Sequence, residues 1–285
     1  MTSPAVLMKA WKLYPKKQLG QNFLADPNMA AAIVGYAGLS DEDVVLEIGA
    51  GLGSLTLPLA QQALKVIAVE KDQRLVGLLQ NELAAAGLDN VSLLEQDILK
   101  LDIPALAEAE EKDFTVVGNV PYNISSQILV QILKARACIK KSVLMFQKEL
   151  AQRITAPPGS KAYGRISAMV QYCSKVRVLT EVKAGLFFPK PNIDSLVLGI
   201  DFDPDAGKKV RDEAFLFDVI KAAFSKRRKT LRNSLTGMLP GFDAKMSAKG
   251  LEGAGIDPVR RAETLTVDEF VRLSNHIYDT HRQHS

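Results

Sequence analysis

Short apolar segments of strand length recur between residues 44 and 202, and helix-like segments separate the first five of them. The segments are 44–50, 65–70, 91–97, 115–120, 142–147, 175–182 and 195–202. Strands that are apolar on both faces and alternate with helices are typical of a parallel sheet covered by helices on both sides. The sequence therefore predicts an α/β fold with a mostly parallel, doubly wound sheet of seven strands, the last two forming a hairpin-like antiparallel edge.

Helix signals separate these strands. Residues 72–87 carry leucines at helical spacing and end on a glycine. Residues 25–38 begin with Asp26 in a capping position and Pro27 at the first helical position. Both segments are predicted to be helices.

A change of pattern after the last strand predicts a second domain. Residues 201–209 are polar and turn-rich, and the pattern beyond them is helical, with Thr266 and Glu269 at capping-box spacing. We expect a catalytic domain over residues 1–205 and a small all-helical domain over residues 206–285. The N-terminal extension before Lys16 is expected to be a flexible lead-in.

The placement of histidine and cysteine excludes several kinds of chemistry. All three histidines lie in the last ten residues, which excludes a Ser-His-Asp triad and the zinc deaminases. Cys138 and Cys173 have no partners at metal-ligand spacing, so neither a disulfide framework nor a metal site is expected. No apolar run reaches the roughly 20 residues that a membrane helix needs. A signal peptide is not evident either, and a cytoplasmic protein is expected.

Positive charge is concentrated in the predicted C-terminal domain. Residues 206–285 contain 15 Lys and Arg against 10 Asp and Glu, whereas residues 1–205 contain 21 against 22. A basic module beside a nearly neutral one suggests that one domain holds a polyanion while the other performs the chemistry.

A basic stretch in this domain, SKRRKTLRNS (225–234), is the candidate for phosphate contacts. We expect it to lie on a helix, where at most three or four of its side chains could follow one phosphate track. A merely solvated surface is the alternative interpretation. Two N-terminal lysines are expected to extend the same surface across the mouth of the active site. The predicted phosphate contacts are Lys16, Lys17, Lys226, Arg227, Arg228, Lys229 and Arg232.

A glycine-rich segment, LEIGAGLGSLT, follows the first predicted strand and opens a helix. Gly49, Gly51 and Gly53 would let the backbone turn tightly and approach a ligand. A dinucleotide fingerprint requires another glycine at position 54, where this chain has Ser54. The spacing therefore favours S-adenosylmethionine (SAM) over NAD, and Glu47 suits the ammonium group of the methionine moiety.

Two further carboxylates end the next two strands. Glu70 closes the second predicted strand, where doubly wound folds place a carboxylate on a ribose diol. Asp97 ends the third strand and is placed to accept a hydrogen bond from the adenine amino group of the cofactor. A simple turn or helix-cap aspartate is the alternative interpretation of Asp97.

The fourth predicted strand ends on Asn119, Val120, Pro121 and Tyr122. An adenine N6 is a poor nucleophile because its lone pair is delocalised into the ring. The Asn119 oxygen and the Val120 carbonyl, held rigid by Pro121, can accept the N6 hydrogens and direct the lone pair at a sulfonium methyl. Tyr122 can stack on the extruded base. A strand followed by an ordinary proline turn is the alternative interpretation.

Together these segments closely resemble the KsgA family of ribosomal RNA adenine dimethyltransferases. The resemblance covers nearly the whole chain, and several blocks in combination are far more specific than any one of them. The matching blocks are KKQLGQNFL, LEIGAGLGSLT, GNVPYNIS, FQKELAQRI, AYGRIS, FFPKPNIDS, AFSKRRKTLRNSL and RRAETL.

The resemblance implies a Rossmann-like class I methyltransferase fold and dimethylation of N6 in two adjacent adenosines, with SAM as donor. The target would be the loop of the 3′-terminal hairpin of small-subunit ribosomal RNA, within an immature 30S subunit, and the enzyme would be a monomer. The resemblance assigns Phe187 to a sandwich of the target base against Tyr122. The cofactor contacts that it implies are Asn22, Leu24, Gly49, Glu70, Asp97 and Asn119. Ile193 stands where the family usually has valine.

Other functions remain as alternatives at this point. A ribosome-assembly factor whose methylation is secondary would have the same basic domain. A large-subunit ribosomal RNA methyltransferase, or a transcription-factor relative of the same fold, would share the methyl-transfer motif. An NAD oxidoreductase is disfavoured by Ser54 and by the lack of a catalytic histidine.

Overall fold

The computed structural model describes residues 2–203, 205–226, 228–238 and 242–282. The chain divides into two compact units. Met1–Ala151 and Val176–Phe202 form the first unit, and Gln152–Lys175 and Asp203–Ser285 form the second.

Nine strands form within the described residues. They are β1 (Phe23–Leu24), β2 (Val44–Ile48), β3 (Lys65–Glu70), β4 (Val91–Glu95), β5 (Phe114–Asn119), β6 (Ile139–Gln147), β7 (Ser174–Val182), β8 (Phe187–Phe188) and β9 (Ser195–Phe202). Seven of them make one sheet in the order β4-β3-β2-β5-β6-β9-β7, and β1 pairs with β8 in a separate two-stranded ribbon.

The seven-stranded sheet confirms the predicted fold class. Strand β2 runs parallel to β3 and β5, β3 runs parallel to β4, and β5 runs parallel to β6. Strand β9 runs antiparallel to β6 and lies between β6 and β7, so the last two predicted strands are neighbours at one edge. All five residues of β2 are buried, as expected of a central strand covered on both faces.

Helices connect these strands and build the second unit. They are α1 (Pro4–Ala10), α2 (Pro27–Ala37), α3 (Thr56–Ala60), α4 (Gln73–Ala85), α5 (Ile103–Glu110), α6 (Ser125–Lys134), α7 (Lys148–Ile154), α8 (Arg165–Cys173), α9 (Glu213–Ala223), α10 (Leu231–Leu235), α11 (Ala244–Gly253) and α12 (Val267–Arg282). The predicted cap of α2 is confirmed, since the Met29 amide donates to Asp26 Oδ1 at 2.7 Å.

The N-terminal extension is folded, and the expectation of a flexible lead-in was wrong. Helix α1 buries Leu7 and Met8 in a cluster that contains Phe23 and Leu75. Burial of apolar side chains at about 25 cal/mol per Å² favours the docked helix over a solvated tail. The apolar stretch of this extension is too short for a helical period to be recognised in the sequence.

The second unit differs from the predicted C-terminal domain, because it also takes in residues 152–175. Helix α8 packs against α9 and α12. The Tyr172 hydroxyl donates to the Ala206 carbonyl at 2.7 Å, and the Asp203 amide donates to the Cys173 carbonyl at 2.8 Å. The turn-rich segment near residue 205 therefore marks only one of the places where the chain passes between the units.

Two predictions about local structure in the second unit concern the capping box at Thr266 and the basic stretch. The capping box is confirmed, since the Thr266 amide donates to Glu269 Oε2 at 2.8 Å and the Glu269 amide donates to Thr266 Oγ1 at 3.2 Å. The basic stretch of residues 225–234, in contrast, was expected to be helical, and among its described residues only those from Leu231 onward are, in α10, which contains Arg232. Helix α9 ends at Ala223, and the next helix begins only at Leu231. Phe224, packed against Tyr163 and Phe270, anchors the chain where the helix ends.

None of the helices in the described ranges combines the length and apolar character needed to span a membrane.

Candidate active site

A cavity of about 240 Å³ opens at the carboxyl ends of β2, β3 and β5. These three strands are neighbours in the sheet, so the turns that follow them meet at one place, where open α/β sheets bind their ligands. Residues 18–23, residues 96–99 after β4 and residues 120–124 after β5 line the rest of the cavity. The cavity thus brings together the GQNF segment, the glycine-rich turn and the Asn-Val-Pro-Tyr segment.

Asn119 is the last residue of β5, and its side chain has a defined orientation. Its Nδ2 donates to the main-chain oxygen of Asn22 at 2.8 Å. An amide that donates through nitrogen presents its oxygen elsewhere. No donor among the described residues contacts Asn119 Oδ1, so this oxygen is available as an acceptor at the cavity.

Val120 and Pro121 continue the chain along the cavity wall. The Val120 side chain is fully buried, and its amide donates to the Met145 carbonyl at 3.2 Å. Within the described part of the chain, no donor engages the Val120 carbonyl. The next residue is proline, whose ring restricts the backbone at this point. Asn119 Oδ1 and the Val120 oxygen are therefore two free acceptors on consecutive residues.

The Tyr122 ring is anchored at its hydroxyl. This hydroxyl lies 2.9 Å from the Oγ of Ser195, a fully buried residue at the start of β9. Burial raises the pKa of Tyr122, so the phenol stays protonated at neutral pH. Ser195 belongs to a block recognised in the sequence, but its role became visible only through this contact.

The glycine-rich turn brings the backbone close to other walls of the cavity. Gly49 and Gly51 have φ of +75° and +56°, a region that side-chain-bearing residues rarely adopt. A Cβ on Gly51 would lie 3.1 Å from Phe23 Cδ1, and one on Gly49 would lie 3.4 Å from the Asn119 carbonyl oxygen. The glycines thus leave space that any side chain would fill.

Glu70 closes β3 and lines the cavity. Its Oε2 accepts from the Gly51 amide at 2.9 Å, and its Oε1 accepts from the Asp72 amide at 2.8 Å. Burial raises the pKa of Glu70 despite these bonds. A carboxylate has about four acceptor sites, so Glu70 can still accept from two hydroxyls.

Asp97 also lines the cavity, after β4. It accepts from the Leu99 amide at 3.1 Å and forms an ion pair with Lys71 at 2.7 Å. The Lys71 ammonium lowers the pKa of Asp97, which keeps this carboxylate ionised. Asp97 is therefore both a turn cap and an acceptor at the cavity.

Three of the predicted catalytic and cofactor-binding residues do not line this cavity. Leu24 and Glu47 line a smaller neighbouring cavity of about 20 Å³, together with Gly49 and Asn119. Burial raises the pKa of Glu47 to about 8, and its Oε2 has no hydrogen-bond partner among the described residues. A neutral, enclosed carboxyl is poorly suited to bind an ammonium group directly.

Phe187 is the third predicted residue that does not line the larger cavity. It is only 4% exposed and lies in the same buried cluster as Leu24. Strand β8 places it opposite Leu24, and the following residue, Phe188, is 36% exposed. Stacking of Phe187 on a target base remains a prediction, and the exposed ring of the pair in this conformation is Phe188.

A polar cluster that the sequence did not reveal attaches residues 16–21 to the start of α4. Asp72, the buried cap of α4, accepts from Arg74, from Gln21 at 3.1 Å and from Lys16 at 3.3 Å. The Arg74 guanidinium holds the pKa of Asp72 well below its usual range. Lys16 is thus already ion-paired, whereas Lys17 is exposed.

The second unit contains a basic cavity of about 310 Å³. The predicted residues Lys226 and Lys229 line it, while Arg228 and Arg232 are exposed and Arg227 lies outside the described residues. Residues that sequence reasoning had not assigned complete the set of charged groups. They are Arg153, Lys161 and Arg165, with Glu263 as the acidic group.

Tyr163 forms part of the wall of this basic cavity. It is buried, and its hydroxyl has no hydrogen-bond partner among the described residues. Burial raises the pKa of Tyr163 to about 12, so the hydroxyl remains a donor at all physiological pH values. The five Lys and Arg side chains of this cavity and the buried Tyr163 hydroxyl together suit an anionic ligand. No group of side chains capable of holding a metal ion occurs in the described ranges.

Comparison with known proteins places the chain in a family. A model of the family described as "Ribosomal RNA adenine dimethylase" matches residues 13–279. A protein of Desulforapulum autotrophicum named Ribosomal RNA small subunit methyltransferase A is 53% identical, and the match covers 99% of this chain and 98% of that protein. A protein of the same name from Shouchella clausii is 43% identical, with 94% and 91% covered.

Solved structures agree with this placement. A dimethyladenosine transferase from Plasmodium falciparum superimposes with a TM-score of 0.77 at 27% identity, covering 88% of this chain and 95% of that one. The 23S rRNA methyltransferase ErmE superimposes with a TM-score of 0.66 at 25% identity, covering 90% and 99%.

By its sheet order and the position of its cavity, the protein is a class I methyltransferase with a helical C-terminal region. The family match extends through both units. The chain belongs to the ribosomal RNA adenine dimethylase family.

Proposed function

We propose that this protein transfers two methyl groups to N6 of each of two adjacent adenosines in the loop of the 3′-terminal hairpin of small-subunit ribosomal RNA. The donor is SAM, and the substrate is the RNA within an immature 30S subunit in the cytoplasm, acted on by a monomer. The relatives that are 53% and 43% identical are both named as small-subunit methyltransferases. The large-subunit enzyme ErmE is only 25% identical, which favours the small-subunit target.

One observation carries the proposal. The Asn119 amide nitrogen is committed to the Asn22 carbonyl, so Oδ1 is oriented as an acceptor beside the free Val120 carbonyl. An adenine amino group has two hydrogens and can donate one to each of these oxygens. Such bonds favour a tetrahedral nitrogen whose lone pair points out of the ring plane, and orientation of this kind supplies much of a catalytic rate enhancement.

The proton released after transfer does not require a basic side chain. The methylated nitrogen carries a positive charge and is strongly acidic, so it loses its proton to water or to the acceptors at the cavity. This agrees with a described cavity wall that contains no histidine. The half-buried Tyr122 ring provides an aromatic face for the base that has left its stack.

The residues of the cavity fit SAM. Glu70 can accept hydrogen bonds from a ribose diol, and Asp97 can accept one from an adenine amino group. Gly49 and Gly51 have no side chains, which leaves space for the rest of the cofactor. When bound, SAM supplies an electrophilic methyl on a sulfonium. Glu47 is buried and uncharged, and it lines the smaller neighbouring cavity. The contact predicted between its carboxyl and the methionine ammonium of SAM therefore requires a bridging water or a movement of the Glu47 side chain.

The basic cavity of the second unit supports an RNA substrate. Its cations would neutralise phosphates, and the Tyr163 hydroxyl can donate to a phosphate oxygen. Contacts of this kind position RNA without reading its sequence, and the affinity they supply falls steeply with salt. Lys17, Arg228 and Arg232 are exposed and remain proposed phosphate contacts.

Incubation with labelled SAM and unmethylated small subunits tests the proposal. Wild-type protein is expected to produce N6,N6-dimethyladenosine, and Asn119→Ala is expected to lower the rate by about 100-fold or more while subunits still bind. Asn81→Ala is the matched control, because Asn81 is an exposed residue of α4 that bonds only within its helix. Methylation of large-subunit RNA instead, or full activity of Asn119→Ala, would contradict the proposal.

A further inference from the structure

The N-terminal segment of residues 6–17 exposes aromatic and basic side chains together. Three of the nine large hydrophobic side chains that are exposed in the described residues lie within it. Val6 is 57% exposed, Trp11 is 43% exposed and Tyr14 is 79% exposed. Single exposed apolar residues are ordinary on protein surfaces. Their concentration in one short segment is not.

The same segment carries only positive charge. The first 25 residues contain four lysines and no aspartate or glutamate. Lys9, Lys12 and Lys17 are exposed and form no ion pair within the described part of the chain, whereas Lys16 is paired with Asp72. Partners with a high density of negative charge are therefore favoured.

The segment is held in place by its other side. Leu7 and Met8 pack in the cluster that contains Phe23, and the Trp11 amide donates to the Leu7 carbonyl at 3.0 Å. Lys12 has a φ of +54°, the left-handed conformation usual at a helix end, and the Leu13 amide then donates to the Met8 carbonyl at 2.8 Å. Trp11 and Tyr14 are thus presented by folded backbone, which lowers the entropy cost of binding through them.

This arrangement suits single-stranded RNA better than a membrane surface. Every base has a face that can stack on an aromatic ring, and interleaved lysines neutralise the phosphates between stacked bases. A helix that binds a lipid interface inserts its apolar face. In α1, Leu7 and Met8 are already buried within the protein.

We propose that residues 6–17 form a binding site for unpaired RNA, with bases stacked on Trp11 and Tyr14 and phosphates held by Lys9, Lys12 and Lys17. The chain runs from this segment directly into residues 18–23, which line the cavity at the sheet edge. The family match begins at residue 13, so most of the segment lies outside it. The identity of the RNA rests on the proposed function, but binding of unpaired RNA does not.

Trp11 is the single tryptophan of the chain, so protein tryptophan emission reports on this segment alone. Titration with single-stranded oligoadenylate is expected to quench this emission, with an apparent affinity that falls as salt rises. Tyr14→Ala is expected to weaken binding about tenfold, the typical effect of removing one stacking ring, and Tyr14→Phe is expected to restore it. Tyr36→Ala, at an aromatic residue of α2 that is 43% exposed, as Trp11 is, should bind like the wild type.

Three results would overturn the inference. Unchanged Trp11 emission at saturating oligoadenylate would show that no base stacks there, and equal affinities of Tyr14→Ala and wild type would exclude Tyr14. A blue shift of Trp11 emission with phosphatidylglycerol vesicles, without a response to oligoadenylate, would assign the segment to a lipid surface instead.

Methylation of small subunits separates this inference from the proposed function. The double variant Trp11→Ala, Tyr14→Ala is expected to raise the KM for subunits at least about tenfold with kcat and SAM affinity unchanged. Failure of the wild type to methylate subunits would remove the proposed function while leaving the oligoadenylate result intact. If the wild type is active and the double variant has the same KM for subunits, the inference is wrong.

Discussion

The hydroxyl of Tyr122 and the Oγ of Ser195 lie 2.9 Å apart, although 73 residues separate them in the chain. Tyr122 follows β5, and Ser195 begins β9. Ser195 is fully buried, so its hydroxyl is a stationary partner rather than a solvated one. The bond fixes the far end of a ring that lines the cavity.

Removal of this bond should reduce catalysis without unfolding the protein. Ser195→Ala is expected to lower kcat/KM for methyl transfer about two- to tenfold, the usual effect of one neutral hydrogen bond. Tyr122→Phe should have the same effect, and the double variant should be no worse than either single one. Ser142→Ala, at a buried serine whose hydroxyl has no hydrogen-bond partner among the described residues, is the control. Additive effects in the double variant would show that the two hydroxyls act separately.

Phe187 and Phe188 provide a direct choice for the second ring of a base sandwich. If the described conformation is the one that binds RNA, Phe188→Ala should raise the KM for subunits about tenfold or more. Phe187→Ala should instead lower the free energy of unfolding by roughly 3–5 kcal/mol, because it empties a packed site. Steady-state kinetics and urea denaturation of both variants distinguish the two effects. A kinetic defect confined to a stably folded Phe187→Ala would identify Phe187 as the stacking ring.

Glu47 should make the protein less stable as the pH rises. Its pKa is about 8 in the folded protein, against an ordinary value of 4.5, so between these values the folded state binds a proton that the unfolded chain has released. Stability is therefore highest below about pH 4.5 as far as this group is concerned, and falls by a few kcal/mol up to pH 8.

Urea denaturation between pH 5 and pH 8 measures this effect. Glu47→Gln is expected to flatten the dependence and to be more stable than the wild type at pH 8. The pKa of Glu70 is also raised by burial and contributes in the same direction, so a residual slope should remain. Asp72 adds no slope between pH 5 and pH 8. Its pKa is lowered from an ordinary value of 3.8, so its contribution to stability is already complete at any pH above that value. Identical slopes in wild type and variant would mean that Glu47 is ionised in the folded state.

Neutralising exposed cations of the basic stretch should weaken RNA binding in a salt-dependent way. The double variant Arg228→Gln, Lys229→Gln is expected to lower the slope of log affinity against log salt by about one for each phosphate whose charge is no longer neutralised. Lys245→Gln, Lys249→Gln removes the same charge from exposed positions of α11 and serves as the control. If both double variants change the slope equally, the effect is one of net charge and not of a local site.

The strands and the helix caps could be predicted from the sequence. All seven strands of the main sheet, the Asp26 cap and the Thr266–Glu269 capping box follow from periodicity and capping chemistry over a few residues. The cavity-lining turns were predictable for a related reason. Parallel strands bring their carboxyl ends to one edge, so segments that end such strands must meet.

Contacts between distant segments were decided only by the tertiary structure. The burial of Phe187 depends on the register of β8 against β1, and the docking of α1 depends on an apolar surface formed by residues far along the chain. The inclusion of residues 152–175 in the second unit depends on the packing of α8 against α9 and α12. A local pattern specifies which side chains are apolar or polar, but their partners are set by register and packing, which no short stretch of sequence contains.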